Sequence, residues 1–263
     1  MKVIFIGDVV GEPGRLAMYR ALPELREEFG ADAVVVNGEN AAGGKGITPR
    51  IAKEFLERGV DVITLGDHVW DQSDLALWID TEPRVLRPLN LQRNNPGHGS
   101  VIIDTAAGRL AVVSLHGRVF MRNGAENPFT RASEEIQALR EEHAVKAILV
   151  DIHAEATSEK IALGYHLDGE VSAVLGTHTH VQTADARILP GGTAYQTDVG
   201  MCGSLNGVIG REIEPVLMSY VSGMPYKLPV AGWPVLLSGA CITIDTATGK
   251  ATDITPINRY YDK

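Results

Sequence analysis

The sequence predicts an α/β fold built on a mostly parallel sheet, and three observations carry that reading. Short β-branched apolar runs alternate with amphipathic stretches; the runs are near-continuously apolar; and most of them end abruptly in a polar group. Apolar strands joined by helices imply a parallel sheet covered on both faces. A chain of 263 residues can bury one sizeable core or two small ones. Without a low-complexity tract or Ser/Gly-rich linker to mark a boundary, residues 1–263 are taken as a single domain.

Val3–Ile6 is the first expected strand. Pro13 then opens a helical pattern through Met18, Leu22 and Leu25 that ends near Gly30. Val34–Val36 follows, then a glycine-rich loop and a helix over Ile51–Arg58 closed by Gly59. Val62–Leu65 is the next strand, with a helix expected over Ser73–Ile79 and Ser73 as its N-cap. Leu110–Leu115, a helix over Ala132–His143, Ala147–Ile152 and Ser172–Leu175 continue the alternation. After residue 190 the character changes. Gly- and Pro-rich turns fall around Thr193–Asp198, Val230–Ser238 and Cys241–Asp245, with a single helical candidate at Glu214–Val221, so the tail reads as antiparallel or mixed structure flanking the main sheet.

Composition narrows the class. Hydrophobic residues make up 44% and charged residues 22%, an ordinary globular balance, and no apolar run approaches the roughly 20 residues that span a bilayer. The apolar run at the N-terminus is too short for a secretory signal, so the expected location is cytoplasmic, with no membrane partner. A net charge of −9 argues against non-specific binding to nucleic acid, although a local basic pocket could receive a phosphate. Cys202 and Cys241 form no CxxC pair and read as small buried apolar residues.

The informative pattern is positional. Val3–Ile6 runs into Gly7-Asp8, Val34–Val36 into Asn37-Gly38-Glu39-Asn40, and Val62–Leu65 into Gly66-Asp67-His68. Ala147–Val150 runs into Asp151-Ile152-His153, and Ser172–Leu175 into Gly176-Thr177-His178-Thr179-His180. In open α/β sheets ligands bind outside the carboxyl ends of the strands, so these groups should converge on one crevice. The glycines suit strands that leave a sheet abruptly through unusual dihedrals. Each piece has an ordinary explanation, since a lone Gly-Asp is more often a turn than a ligand. His178 and His180 are harder to dismiss: in an extended segment residues i and i+2 face the same side, and two imidazoles there repel when protonated. Carboxylate, amide and imidazole donors without thiolate suit manganese, iron or zinc. Seven candidate ligands, Asp8, Glu39, Asn40, Asp67, His153, His178 and His180, exceed what one tetrahedral ion uses. Two ions about 3.5–4 Å apart, bridged by one carboxylate, would use them all.

These residues resemble, in order and spacing, the motif series of the calcineurin-like metallophosphoesterases. The finer resemblance is to their YmdB-like bacterial subfamily. It rests on Ile6-Gly-Asp-Val-Val-Gly, Asn37-Gly-Glu-Asn-Ala-Ala, His153-Ala-Glu-Ala-Thr-Ser-Glu-Lys and Gly176-Thr-His-Thr-His-Val-Gln-Thr-Ala-Asp, and covers essentially the whole chain. The resemblance implies a four-layer αββα sandwich of mixed β-sheets flanked by helices, with two divalent metal ions, manganese or iron first and zinc or magnesium next. It also implies hydrolysis of phosphodiesters, with 2′,3′-cyclic nucleotides as the small-molecule substrate. Carried over by motif, Asp8, Asn40 and His180 would hold one ion and Asp67, His153 and His178 the other, with Glu39 bridging. A water between the ions would attack phosphorus, and His68 would protonate the leaving oxygen. Two departures stand out: Val10 occupies the position of the broad family's second imidazole, and Asp67 replaces the usual asparagine of Gly-Asn-His.

Two rival readings stay open, a di-metal amidase or peptidase and a nucleotide-sensing regulator with negligible turnover. Homo-oligomerisation stays open as well. Gly44-Lys45 departs from a Walker loop at both ends, which leaves Lys45 as a surface lysine near the substrate. Ser204 lacks the glycine of a nucleophile elbow. His116 could line the cleft or serve the sheet; Arg118 and Arg131 could clamp a phosphate; His98, His143 and His166 read as surface or structural.

Overall fold

The computed structural model describes residues 1–122 and 124–263. In chain order the strands are β1 (Lys2–Ile6), β2 (Asp8–Val9), β3 (Ala33–Asn37), β4 (Val62–Thr64), β5 (Val85–Leu86), β6 (Ser100–Thr105), β7 (Gly108–His116), β8 (Ala147–His153), β9 (Ala173–Thr177), β10 (Arg187–Ile188), β11 (Ala194–Gln196), β12 (Met201–Ser204), β13 (Val235–Ile244) and β14 (Ala251–Tyr261). The helices are α1 (Gly11–Phe29), α2 (Pro49–Glu57), α3 (Pro128–Glu141), α4 (Thr157–His166) and α5 (Ile213–Ser222).

The strands form two sheets. The first runs β2-β12-β13-β1-β3-β4-β5, with β14 on the other edge of β13; the second runs β10-β11-β9-β8-β7-β6. Strands β1, β3, β4 and β5 are parallel in the first, and β7, β8, β9 and β11 in the second. Side-chain alternation along β1 shows how the layers stack. Val3 and Phe5 pack between the sheets with Leu110, Val112 and Leu149, while Ile4 and Ile6 face Met18 and Leu22 of α1. On the far face of the second sheet, Val113 and Val150 pack with Ile136 of α3 and Leu163 of α4. The architecture is helix, sheet, sheet, helix, the four-layer sandwich that the resemblance implied. The single sheet with helices on both faces, expected from strand composition, is corrected. A strand apolar on both faces must be covered twice, and composition does not say whether a helix or a second sheet does the covering.

Several boundaries move for local reasons. Helix α1 begins at Gly11 rather than Pro13 and ends, as expected, at left-handed Gly30. Thr48 caps α2 by accepting the Ile51 N–H at 3.3 Å, and Asn127 caps α3 ahead of the expected Ala132 start. The helix expected over Ser73–Ile79 does not form. The stretch Asp71-Gln-Ser-Asp is rich in side chains that compete with helical hydrogen bonds, and the segment folds as turns ending in a 3₁₀ turn at Ile79–Thr81. Helix α4 carries little apolar periodicity and has no counterpart among the expected elements. In the tail, the turn expected around Val230–Ser238 is present only through residues 231–234, and from Val235 on both it and the turn expected around Cys241–Asp245 give way to strand β13. Gly239 sits at its centre because a Cβ there would lie 2.3 Å from the Phe5 carbonyl oxygen on β1. Strand β13 is antiparallel to β1, β12 and β14, in keeping with the tail's character. Cys202 and Cys241 are free and buried. Among the described residues no helix is long and apolar enough to cross a membrane.

Candidate metal centre

The carboxyl ends of β1, β3 and β4 in one sheet meet those of β8 and β9 in the other. All seven expected ligand residues come together there. Glu39, Asp67, His153 and His178 each offer one atom, and those atoms lie within 4.8 Å of one another. Glu39 Oε2 is 3.0 Å from His153 Nε2, which is 3.2 Å from Asp67 Oδ1 and 3.0 Å from His178 Nδ1. A second group adjoins it. Asn40 Nδ2 lies 3.0 Å from Glu39 Oε1, 3.3 Å from His180 Nε2 and 3.4 Å from Asp8 Oδ1. A half-turn of the amide presents its oxygen to the same point. Glu39 therefore touches both groups, one oxygen to each.

Two features of the cluster ask for cations. Glu39 Oε2 is buried and receives no hydrogen bond of proper geometry. Each of the three imidazoles has its outward nitrogen engaged and its other nitrogen turned inward, the arrangement that fixes the tautomer of a metal-binding histidine. His153 Nδ1 meets Thr177 Oγ1 at 2.9 Å, His178 Nε2 meets Glu155 Oε2 at 3.1 Å, and His180 Nδ1 meets the Ile209 carbonyl at 3.2 Å. The donor set of the chain thus fits borderline divalent metal.

The backbone reaches this arrangement in ways the sequence did not disclose. His178 and His180 do not share the face of an extended segment: both adopt left-handed conformations, φ +98° and +65°, and each points into a different group. The glycines before the ligands are not there for unusual dihedrals either. A Cβ on Gly66 would lie 2.1 Å from Glu39 Oε2 and 2.2 Å from the His153 ring, so that strand end approaches too closely for any side chain. Gly7 and Gly176 are similarly constrained, by carbonyl oxygens of Gly200 and Thr197.

Burial and charge set the protonation states. Burial alone pushes the Asp67 carboxyl up, but the hydrogen bond and charge of His153, with His68 and His178, outweigh it and hold it below the usual carboxylate range. Burial lowers His178 to about 3, helped by the neighbouring His153, which keeps the ring neutral, the form in which an imidazole can bind a metal. His153 is pulled the other way: burial disfavours its charge, yet Glu39, Asp67 and Asp8 together raise it well above the ordinary imidazole value.

Beneath the cluster lies a layer that sequence reasoning missed. Asp151, fully buried, accepts from Thr64 Oγ1 at 2.5 Å, Asn37 Nδ2 at 3.0 Å and Thr177 Oγ1 at 2.7 Å, tying the two sheets together under the site. Lys160 and Asp198 form a fully buried ion pair at 2.8 Å. Asp198 also accepts from the N–H and hydroxyl of Thr179, the residue between His178 and His180.

Two open cavities adjoin the cluster, of about 530 and 300 Å³. His68 and His178 line both, and the larger also holds Lys45. His68 Nδ1 is 3.0 Å from Asp71 Oδ2. Arg211 is buried partly against the glycine loop, where its guanidinium donates to the Gly43 carbonyl at 3.4 Å. Of the two arginines considered as phosphate clamps, Arg131 pairs with Glu126 at 3.3 Å, and Arg118 is exposed. His116 is buried at the sheet with Nδ1 2.6 Å from the Gly117 carbonyl.

A two-sheet sandwich with carboxylates, an amide and imidazoles at one end of both sheets is the architecture of the calcineurin-like metallophosphoesterases. The model of the YmdB-like protein family matches residues 4–257, and the chain belongs to that family. It is 44% identical over 254 residues to the 2′,3′-cyclic-nucleotide 2′-phosphodiesterase of Bacillus subtilis, covering 97% of this chain and 95% of that protein. Among solved structures it is similar to a hypothetical protein from Thermus thermophilus, with a TM-score of 0.91, 40% identity and 99% of each chain covered. It is also similar to a phosphatase from Mycoplasma pneumoniae, with a TM-score of 0.92 and 36% identity, covering 100% of this chain and 94% of that one.

Proposed function

We propose that this protein is a metal-dependent phosphodiesterase acting on 2′,3′-cyclic nucleotides. Asp8, Asn40 and His180 hold one divalent ion and Asp67, His153 and His178 the other, with Glu39 shared; manganese or iron is the expected metal. The observation that carries the reading is the convergence of these donors with every imidazole oriented by an outward partner. The Bacillus subtilis relative supports the choice of substrate. When bound, two divalent cations set four positive charges against the three carboxylates, which draws in a phosphodiester anion and acidifies a water.

The chain's own residues do the rest. His68 lines both cavities and leans on the Asp71 carboxylate, which orients its ring. Water oxygen bonds to phosphorus as the bond from phosphorus to the ribose O2′ breaks, His68 gives O2′ its proton, and the proton shed by the water passes to solvent, leaving a nucleoside 3′-phosphate. Asp198 grips the N–H and hydroxyl of Thr179 and so fixes the segment that carries His178 and His180, which keeps the reacting groups in register.

The test is turnover of 2′,3′-cyclic AMP by manganese-loaded protein, followed by ³¹P NMR, beside a His68→Ala variant. The wild type should release adenosine 3′-monophosphate, and His68→Ala should keep its metal while losing about 100- to 10,000-fold in kcat. Loss of metal from His68→Ala would make His68 a ligand instead, and metal-loaded wild type without turnover would overturn the reading.

A further inference from the structure

The larger cavity is walled by a segment the proposed chemistry leaves without a task. After β7 the chain turns away from the sheet through residues 117–122, and the base of this loop is firmly held. Gly117 N–H donates to the His153 carbonyl at 2.9 Å. The Arg118 and Val119 N–H groups donate to the buried Glu159 carboxylate at 3.0 and 3.1 Å. A Cβ on Gly117 would meet Ala154 Cβ at 2.4 Å, so the loop presses directly against the segment that follows His153.

What this anchored loop presents is Phe120. The residue is 87% exposed, and its backbone is left-handed at φ +61°, a conformation unfavourable for a bulky residue. It lines the cavity that Asp67, His68 and His178 also line. No other Phe, Tyr or Trp is found among the described residues lining either cavity at the cluster. An exposed phenyl ring gains most from a flat apolar partner laid on its face. The cavity's volume, about 530 Å³, lies within the range of small-ligand sites.

We propose that Phe120 is the stacking platform for the nucleobase, a specificity-determining residue that favours nucleotides over other phosphodiesters. This rests on the phosphodiesterase reading for the position of the phosphate at the cluster. Stacking is tolerant of base identity, because every base offers a π-face. The site should therefore demand a base while discriminating weakly among the four.

The experiment measures binding and turnover on manganese-loaded protein, with Phe120→Ala and Phe120→Trp beside the wild type. Calorimetry gives the ratio of affinities for adenosine 3′-monophosphate and inorganic phosphate. That preference should fall about 5- to 100-fold in Phe120→Ala, the worth of one base–aromatic stack, and return in Phe120→Trp. An unchanged preference, an equal loss toward both probes, or a wild type without preference would overturn the proposal. Turnover of 2′,3′-cyclic AMP separates the two readings. Wild-type turnover with the preference intact in Phe120→Ala refutes the platform alone. A collapsed preference with no wild-type turnover refutes the hydrolytic reading and keeps the platform.

Discussion

The buried relay Asp151–Thr177–His153 permits the sharpest prediction. Thr177 Oγ1 donates to Asp151 Oδ1 at 2.7 Å, so it must accept from His153 Nδ1–H at 2.9 Å, which leaves Nε2 as the ring nitrogen whose proton an ion would displace. Asp151→Asn preserves volume but supplies one acceptor oxygen where Asp151 uses two. If the new carbonyl keeps the Thr64 and Asn37 donors, its NH₂ faces Thr177 Oγ1, which must then donate to His153 Nδ1 and force the ring proton onto Nε2. The inward nitrogen can then bind an ion only if the ring proton moves to Nδ1 and breaks the hydrogen bond from Thr177. Metal affinity should fall about 10- to 100-fold, as for other outer partners of metal-binding histidines. Thr177→Val removes the relay differently, leaving two buried groups unpaired at about 1–3 kcal/mol each. With roughly 2–4 °C per kcal/mol, Tm of the metal-free protein should drop by about 5–20 °C, and Thr177→Ser should restore it. Competition with a chromophoric chelator measures the affinity, and ¹⁵N NMR of the imidazoles reads the tautomer. Asp151→Asn with wild-type affinity and the proton still on His153 Nδ1 would refute the reasoning.

Two further predictions follow from buried charge. Lys160→Met should cost about 3–5 kcal/mol by stranding Asp198 without its cation, and the double variant with Asp198→Asn should recover most of that loss; urea titration checks both, and a single variant as stable as wild type would show the pair to be idle. His116 should make the metal-free protein acid-sensitive. Burial, then the charge of His153, lowers its pKa from the ordinary 6.5, so below that value the unfolded chain takes a proton the native state refuses. The stability it confers is present above about pH 6.5 and lost as pH falls. Asp151, raised to about 6 by burial against its hydrogen bonds, acts oppositely: its contribution is present below about pH 4 and lost as pH rises through 6. The His116→Phe variant isolates the first effect. The fall in Tm between pH 7 and pH 5 should be shallower in the variant than in wild type, and parallel curves would refute the assignment.

The seven candidate ligand positions were legible because each lies a few residues beyond an apolar run, and strand topology then delivers them to one end of the molecule. The partners that orient them were not. Glu155 reaches His178 from two residues beyond His153, Asp71 reaches His68 from three residues on, and the Ile209 carbonyl reaches His180 from a different segment. Only the Asp71 spacing leaves a local trace, one turn of a helix-like segment, and it falls just before the stretch read as helix from Ser73 onward. Phe120 was invisible for a different reason. A lone aromatic in a loop carries no periodicity, and only its place beside the cluster gives it meaning. The two-sheet architecture was hidden in the same way, because Val3 and Ile4 are equally apolar while one faces a sheet and the other a helix.

The arrangement also explains why left-handed histidines and buried charge persist in a chain that must fold. Asp8, Glu39 and Asp67 crowd three carboxylates into a desolvated site, and the raised pKa of His153 answers them only in part. Left-handed backbone at His178 and His180 adds roughly 1–3 kcal/mol each. The structure offsets these costs locally: Asp198, paired with Lys160, grips Thr179 between the two strained residues, and Asp151 clamps β3, β4 and β9 beneath them. A site held this way is formed before any ion arrives, so ion binding spends little on reorganisation and adds its free energy to that of folding. The same rigidity extends to the loop at Phe120 through Gly117 and the His153 carbonyl, which ties the cavity wall directly to the backbone of the cluster.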